Sequence, residues 1–500
     1  MGEARMSHRA RGKNHAVDAA ARRDNACNPE KQAPAVREPP PATAATASFS
    51  GTPCPTRWQR LRCGMPAIAP PLRLDHLLAL RGRDLALGLA AAAPDLGDIA
   101  GFAELPHRGG RRAALARLAD IDPVAYARTR NHVAGAVTSL SPWIRHGVLS
   151  LAEVRDAALA RVTNPDDAAK LVSELGWRDY WRQVYAAVGD AILADIEPPA
   201  ARPRQPPRTA MPDDVLEART GMACIDAFVR RLHDSGWLHN HERMWLASWL
   251  VHGRGIHWRV GADWFLSHLL DGDPASNHLS WQWIAGTFSA KPYLFNRENL
   301  ETFTSGIHCR DCGLRGRCDV EGSYDDLAAR CFAPGPPPAR GPLRIAARVE
   351  PPAATPRPKR PLVWLTLDAA AAESPAAAAA PAAPRVFVID QAWLGDERPA
   401  LKRLVFLVEC LAEAGPVELW LGDPAAVLRD RAAVHGCDAV AVAAGPCPRN
   451  RRVEADLAVS LPVVRVAEPR FCDRSRVRDL GRFSRYWNAV SASALRPTAG

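Results

Sequence analysis

Seven tryptophans fall between Thr220 and Trp283: Trp237, Trp245, Trp249, Trp258, Trp264, Trp281 and Trp283. The segment reads TGMACIDAFVRRLHDSGWLHNHERMWLASWLVHGRGIHWRVGADWFLSHLLDGDPASNHLSWQW, with His239, Asn240, Arg243, Asp271, Asp273 and Asn277 set between the indoles. A buried indole needs a partner for its N–H, so so many in one run restrict how the run can pack. Two readings satisfy that constraint. The run is the wall of a pocket for a flat aromatic ligand, or it is a tryptophan-rich helical core.

The chain has 500 residues, enough for two or three domains with sizeable cores. Its net charge of +10 suits a polyanionic partner without demanding one. Twelve cysteines, several of them unclustered, fit reduced thiols better than a disulfide framework. No apolar run reaches the roughly 18 to 20 residues of a membrane helix, and no secretory signal core opens the chain. A soluble cytoplasmic protein without membrane contact is the expectation.

Residues 1–66 carry few large apolar groups and no periodicity, which predicts a disordered basic, Pro- and Ala-rich arm. Such an arm is a solvated tail or a contact for nucleic acid. From 67 to 305 the spacing is helical: GGRRAALARLADID, DDAAKLVSELGWRDYWRQVYAAVGDAIL and MACIDAFVRRLHDSG repeat apolar residues at i, i+3, i+4 and i+7. No useful strand pattern occurs there. Thr138, Ser139 and Ser141, just ahead of Pro142, offer N-capping chemistry, and a helix start of that kind also suits a phosphate.

Residues 306–332 contain Cys309, Cys312, Cys318 and Cys331, spaced C-x2-C-x5-C-x12-C among Arg310, Arg315 and Arg317. Four thiols in so short a loop predict a metal site, a [4Fe–4S] cluster ahead of zinc, with unliganded thiols as the bland alternative. The C-x2-C-x5-C portion is similar to the iron–sulfur loop of helix-hairpin-helix DNA glycosylases. A Pro-rich linker spans 333–360. Over 361–490, PLVWLTLD, RVFVID, PVELWLGD and CDAVAVAA read as strands, and ALKRLVFLVECLAEAG as an amphipathic helix. PAAVLRDRAAVHG reads as a further helix, so the order predicts a parallel α/β sheet. AAAAESPAAAAAPAAP reads as a floppy low-complexity insertion.

The helical region resembles the FAD-binding domain of the photolyase/cryptochrome family. The resemblance rests on Thr220–Arg230, Gly236–Met244, Ile256–Arg259, Asp271–Asn277 and Trp281–Trp283. Upstream, Tyr126 with Arg130, Thr138–Pro142 and Glu174–Arg178 carry it further. The segments LKRLVFLVECLAE, WLGDP, HGCDAV and GRFSRYW are similar to the family's α/β antenna domain, which ordinarily precedes the flavin domain. The expectation is therefore a multidomain chain: an all-α FAD-binding domain followed by a Rossmann-like α/β domain with a parallel sheet, circularly permuted relative to the family.

The resemblance implies that Tyr126, Thr138, Ser139, Leu140 and Ser141 hold the FAD diphosphate and ribityl chain. It places Arg178, Asn240, Asp271 and Asp273 around the flavin and adenine, and Asn277 facing flavin N5. Glu174, Trp177 and Met244 would receive a flipped pyrimidine dimer in damaged DNA, while Trp258 and Trp281 would carry electrons to the flavin. The outer tryptophan of that relay falls near Val215, and His241 and Leu279-Ser280 also depart from the family pattern. Which antenna chromophore the α/β domain takes is left open. The implied activity is FAD-dependent, blue-light-driven repair of cyclobutane dimers by a photo-lyase. The alternative is a cryptochrome-like photoreceptor without repair.

Overall fold

The computed structural model describes residues 70–93, 99, 102–103, 105–348 and 358–497. The arm expected over 1–66 lies outside them, as do residues 349–357 of the expected linker. Among the described residues six strands form one sheet: β1 (Leu72–Arg73), β2 (Pro361–Leu365), β3 (Arg385–Asp390), β4 (Glu418–Gly422), β5 (Ala439–Ala443) and β6 (Val463–Val466). Their order is β1-β4-β3-β2-β5-β6, parallel throughout except that β1 runs antiparallel to β4. The four strands read from the sequence are β2 to β5. β1 and β6 escaped, β1 because two residues carry no period. Its presence corrects the expectation of a strand-free region before residue 300.

β5 is buried at every position and β2 at all but its first, as continuous apolar runs in a sheet covered on both faces should be. The helix Leu401–Leu411 is buried all round rather than amphipathic, because it lies between the sheet and the helical region. Its charged residues find internal partners. Lys402 Nζ donates to the carbonyls of Leu232 (2.7 Å) and His233 (2.5 Å) at the end of helix Ala223–Ser235. The alanine-rich insertion is packed, not floppy: Ala369, Ala370, Ala371, Ala376 and Ala377 are buried, and Pro375–Ala379 is helical. Small side chains let this loop approach Gly147, whose positive φ and lack of a Cβ bring it against the Asp368 carbonyl.

Two large apolar cores result. One joins Leu140, Trp143, Val172 and Tyr180 of the helical region to Val363 and Phe387 of the sheet, helix Leu401–Leu411, and Tyr486 and Val490 of the last helix. The other collects Trp245, Trp249, Trp258, Trp264 and Trp281 around Phe228 and Phe265. Five of the seven tryptophans are thus core; Trp237 and Trp283 are half-buried. Three indole N–H groups have acceptors: Asn299 for Trp245, Asp319 for Trp249 and Asp195 for Trp258. A third, smaller cluster fills the outer face of the sheet around Leu362, Trp364 and Val440.

Burial holds several histidines neutral. It lowers His146 to about 3, and His233, His239, His241 and His252 each to about 4. Unfolded histidine titrates near 6.5, so the unfolded chain binds more protons between about 4 and 6.5. Stability is full above that window and falls as the pH drops through it. His146 and His239 are almost wholly inside, and each should account for on the order of 1–3 kcal/mol. Urea unfolding at pH 7.5 and pH 5 should show a loss of several kcal/mol at the lower pH. Equal midpoints at the two would contradict the buried neutral rings.

Candidate functional site

The segment Leu269–Asp273, between helices Trp258–His268 and Pro274–Ala285, is fixed from two sides. Arg145 Nε donates to the Gly272 carbonyl at 2.7 Å, and Arg403 Nη2 donates to the same oxygen at 3.0 Å. A second Arg403 nitrogen reaches the Leu266 carbonyl. The carboxylates on either side of Gly272 are thereby set in place. Arg243 grips Asp271 with both terminal nitrogens, each at 3.0 Å, in the two-point geometry guanidinium and carboxylate share. Burial opposes ionisation of Asp271, but Arg243, the Ser141 hydroxyl and Arg178 outweigh it and hold the carboxyl below its usual range. Asp273 caps helix Pro274–Ala285 through the Ser276 N–H, and Arg145 and Arg178 keep it ionised against the same burial cost.

Arg178 comes from helix Ala169–Val188 and has no hydrogen-bond or ion-pair partner among the described residues. Burial lowers its pKa, partly offset by Asp273 and Asp271. It opens on a cleft also lined by Arg145, Arg182, Asp273, Asp368 and Arg449. Leu367, Asp368, Pro446 and Cys447 of that lining follow β2 and β5, the adjacent strands at which the sheet order reverses. Ligands of open α/β sheets bind at that reversal. Arg178 is half-buried and lies in the field of Asp271 and Asp273 without a hydrogen bond to either, so its guanidinium is open to an anion such as a diphosphate group.

The remaining predicted residues fall into small clusters. Glu174 pairs with Arg130 and with Lys170, each at 2.9 Å, and Arg130 stands 5.9 Å over the Tyr126 ring. Burial, aided by Glu174, pushes the Tyr126 hydroxyl up to about 12. Thr138, Ser139, Leu140 and Ser141 lie in a loop pinned by Arg117, which donates to the carbonyls of Val137 and Thr138 at 2.7 Å each. Thr138, Ser139 and Ser141 do not cap the short helix Ser141–Arg145; its N-cap is Leu140, with no side-chain bond. The capping expectation fails because Ser139 sits in the left-handed region, with φ 53°, and Ser141 turns to Asp271. Asn240 is exposed at the start of helix Asn240–Ser248, and its amide donates to Met244 Sδ at 3.3 Å. Asn277 is buried and donates to the Ala262 carbonyl at 2.7 Å.

Trp281 and Trp258 are both buried. The Trp281 ring lies against Gly261, where a Cβ would meet it at 2.3 Å, and edge-on to Phe265 at 5.0 Å. Trp258 donates to Asp195 at 2.6 Å. Val215 is fully buried in the same core. Trp177 is half-buried, and one face of its indole stacks on Phe483 at 3.8 Å and 11°. Phe483 in turn stacks on Trp487, which fills the space over Gly176. Both come from the last helix, Phe483–Ala494.

Cys309, Cys312 and Cys318 line one small cavity, but Cys331 does not. Cys331 ends helix Tyr324–Cys331, among Arg330, Asp319 and Arg204, because that helix carries it away from the loop. The fourth thiol of the cavity is Cys224, in the first turn of helix Ala223–Ser235. Among the described residues no three His, Cys, Asp or Glu side chains gather as a single-ion site.

Residues that sequence reasoning passed over are Cys224, Arg145, Arg403, Phe483 and the cation role of Arg243. All of these but Arg145 stood inside segments that carry the resemblance. Arg145, Arg403 and Phe483 act through long-range contacts that no local pattern signals.

Replacing Arg243 by alanine leaves Asp271 buried without its partner and should cost about 3 kcal/mol in chemical denaturation. Gly261→Ala should lower the melting temperature and shift tryptophan fluorescence, since Trp281 must move. An unchanged emission spectrum would show that the indole lies elsewhere.

The family profile described as FAD binding domain of DNA photolyase matches residues 171–305. The chain is 36% identical over 189 residues to a chloroplastic/mitochondrial cryptochrome DASH of Oryza sativa subsp. japonica, covering 36% of this chain and 32% of the relative. It is 38% identical over 166 residues to a deoxyribodipyrimidine photo-lyase of Streptomyces griseus, covering 32% of this chain and 35% of that one. The chain thus spans about a third of the length of these curated relatives. A solved Synechocystis cryptochrome is 29% identical over 41% of this chain and 47% of its own, with a TM-score of 0.37. Residues 171–305 thus match the profile of a photolyase FAD-binding domain, and this part of the chain is similar to photolyases and cryptochromes.

Proposed function

We propose that the protein binds FAD and performs blue-light-driven electron transfer, as a photo-lyase acting on cyclobutane pyrimidine dimers in damaged DNA. The observation that carries flavin binding is Arg178, a half-buried guanidinium without a hydrogen-bonded partner among the described residues, facing a cleft beside the carboxylates Asp271 and Asp273. Arg178 would meet the diphosphate, with Tyr126 and the Thr138–Ser141 loop along the ribityl chain. Asn277 would stand toward N5, and Asn240 would meet the flavin from the exposed start of its helix. Bound flavin supplies the light absorption and the transferable electron. The chain's part is orientation and exclusion of water around the reacting pair. Trp281 and Trp258 would relay electrons inward. Glu174, Trp177 and Met244 would form the lesion side, and the net charge of +10 suits the DNA backbone. The α/β layer takes the part of the family's antenna domain in this reading, displaced to the C-terminal side of the flavin domain.

A second reading, a cryptochrome-like photoreceptor, is favoured by the Phe483 ring lying on Trp177. A base flipped onto that face would have to displace it.

Purified chain loaded with FAD should show flavin absorption. Arg178→Leu should weaken FAD binding by at least tenfold in a fluorescence titration, and unchanged affinity would remove the anchor from this reading. Ultraviolet-irradiated oligonucleotides incubated under blue light with the fully reduced protein should lose their dimers. Phe483→Ala should speed that loss if Trp177 stacks the lesion. No loss in either protein, with flavin bound, decides for the receptor.

A further inference from the structure

We infer that Cys224, Cys309, Cys312 and Cys318 form a four-thiolate metal centre, from which Cys331 is excluded. The four line one small cavity together with Met222, Leu300 and Val320. Two of its walls come from distant parts of the chain. Cys224 opens helix Ala223–Ser235, and the 309–318 loop folds over it, with Leu314 lying 3.6 Å from where a Cβ on Gly221 would be. The loop is anchored independently of any metal. Asp319 accepts the Trp249 indole N–H at 2.8 Å, Glu321 takes Arg297, and Val320 is in the tryptophan core with Cys224 and Cys309.

Cys331, at the end of helix Tyr324–Cys331, does not line that cavity. His308 lines the same cavity, and its Nε2 is buried without a hydrogen-bond partner. Buried polar atoms are ordinarily satisfied, so that nitrogen is a second sign of a ligand beside the thiols. Arg297 and Arg315 also line the cavity and would offset thiolate charge.

Four cysteinate sulfurs suit either zinc or an iron–sulfur cluster. Zinc draws its sulfurs to about 2.3 Å from one point, and the described residues show no such gathering. A cluster holds its thiolates farther apart, which agrees better with thiols that line one cavity without converging on a point.

The test uses the full chain, purified without oxygen and treated with ferrous iron and sulfide, or with zinc alone. Cys224→Ala and Cys331→Ala are treated alongside, and flavin content reports folding in each. The expected result is full metal in wild type and Cys331→Ala, and at least a tenfold loss in Cys224→Ala with flavin retained. Iron with acid-labile sulfide identifies a cluster; zinc alone, lost in the same variant, upholds the ligand set and replaces the cluster by a single ion. If Cys224→Ala does not fold, Cys331→Ala decides. Full metal with four sulfur ligands by X-ray absorption upholds the assignment, and loss of metal overturns it. Wild type that takes up neither iron nor zinc also overturns it, whether or not flavin binds.

Discussion

One backbone oxygen carries much of this structure. The Gly272 carbonyl accepts hydrogen bonds from Arg145 and Arg403, both almost fully buried, one from the helical region and one from the helix that covers the sheet. Burial lowers Arg403 to about 10, so its hydrogen bonds to carbonyls replace water lost at real expense. Because Gly272 lies between Asp271 and Asp273, the contact that joins the two regions also sets the carboxylates of the candidate flavin site. Arg145 further pairs with Asp368, at the C-terminal side of β2. A change that loosened the sheet from the helices would therefore be felt in the site.

Much of the fold was legible from periodicity. Helices Ala169–Val188 and Ala223–Ser235 and strands β2 to β5 stand where apolar spacing put them. What could not be read was the way the parts share a core. Leu401–Leu411 shows a helical stripe, yet every residue is buried, because Lys402, Arg403 and Glu409 find partners on elements remote in sequence. Alanines that look like low complexity turn out to be the small residues needed where a loop meets Gly147. Composition alone does not distinguish a floppy alanine from a tightly packed one.

The site was legible to the extent that its residues sit in contiguous motifs. Asp271, Asp273 and Arg178 lie together, Asn277 turns to the Ala262 carbonyl, and Asn240 bonds Met244. The spacing of Cys309, Cys312 and Cys318 pointed to one loop, and the structure sets them around one cavity. Cys331 continued the spacing in sequence but not in space, and Cys224 entered through tertiary folding alone. Trp177 shows the same limit from the other side: its motif is local, while the ring that covers it arrives from the last helix.

The route of the chain has a bearing on its synthesis. β1 pairs with β4, and the core around Leu140, Val172 and Tyr180 is completed by residues of the sheet and of helix Phe483–Ala494. A growing chain emerges from its N-terminus and buries apolar surface as partners become available. Helix Ala169–Val188 is therefore made long before Tyr486, Val490 and the Leu480 carbonyl that receives the Tyr180 hydroxyl. The tryptophan core, built from residues 215–320, can close earlier. Contacts of such long sequence separation are slow to form, so the core that spans the chain has to wait for its last helix while the tryptophan core need not.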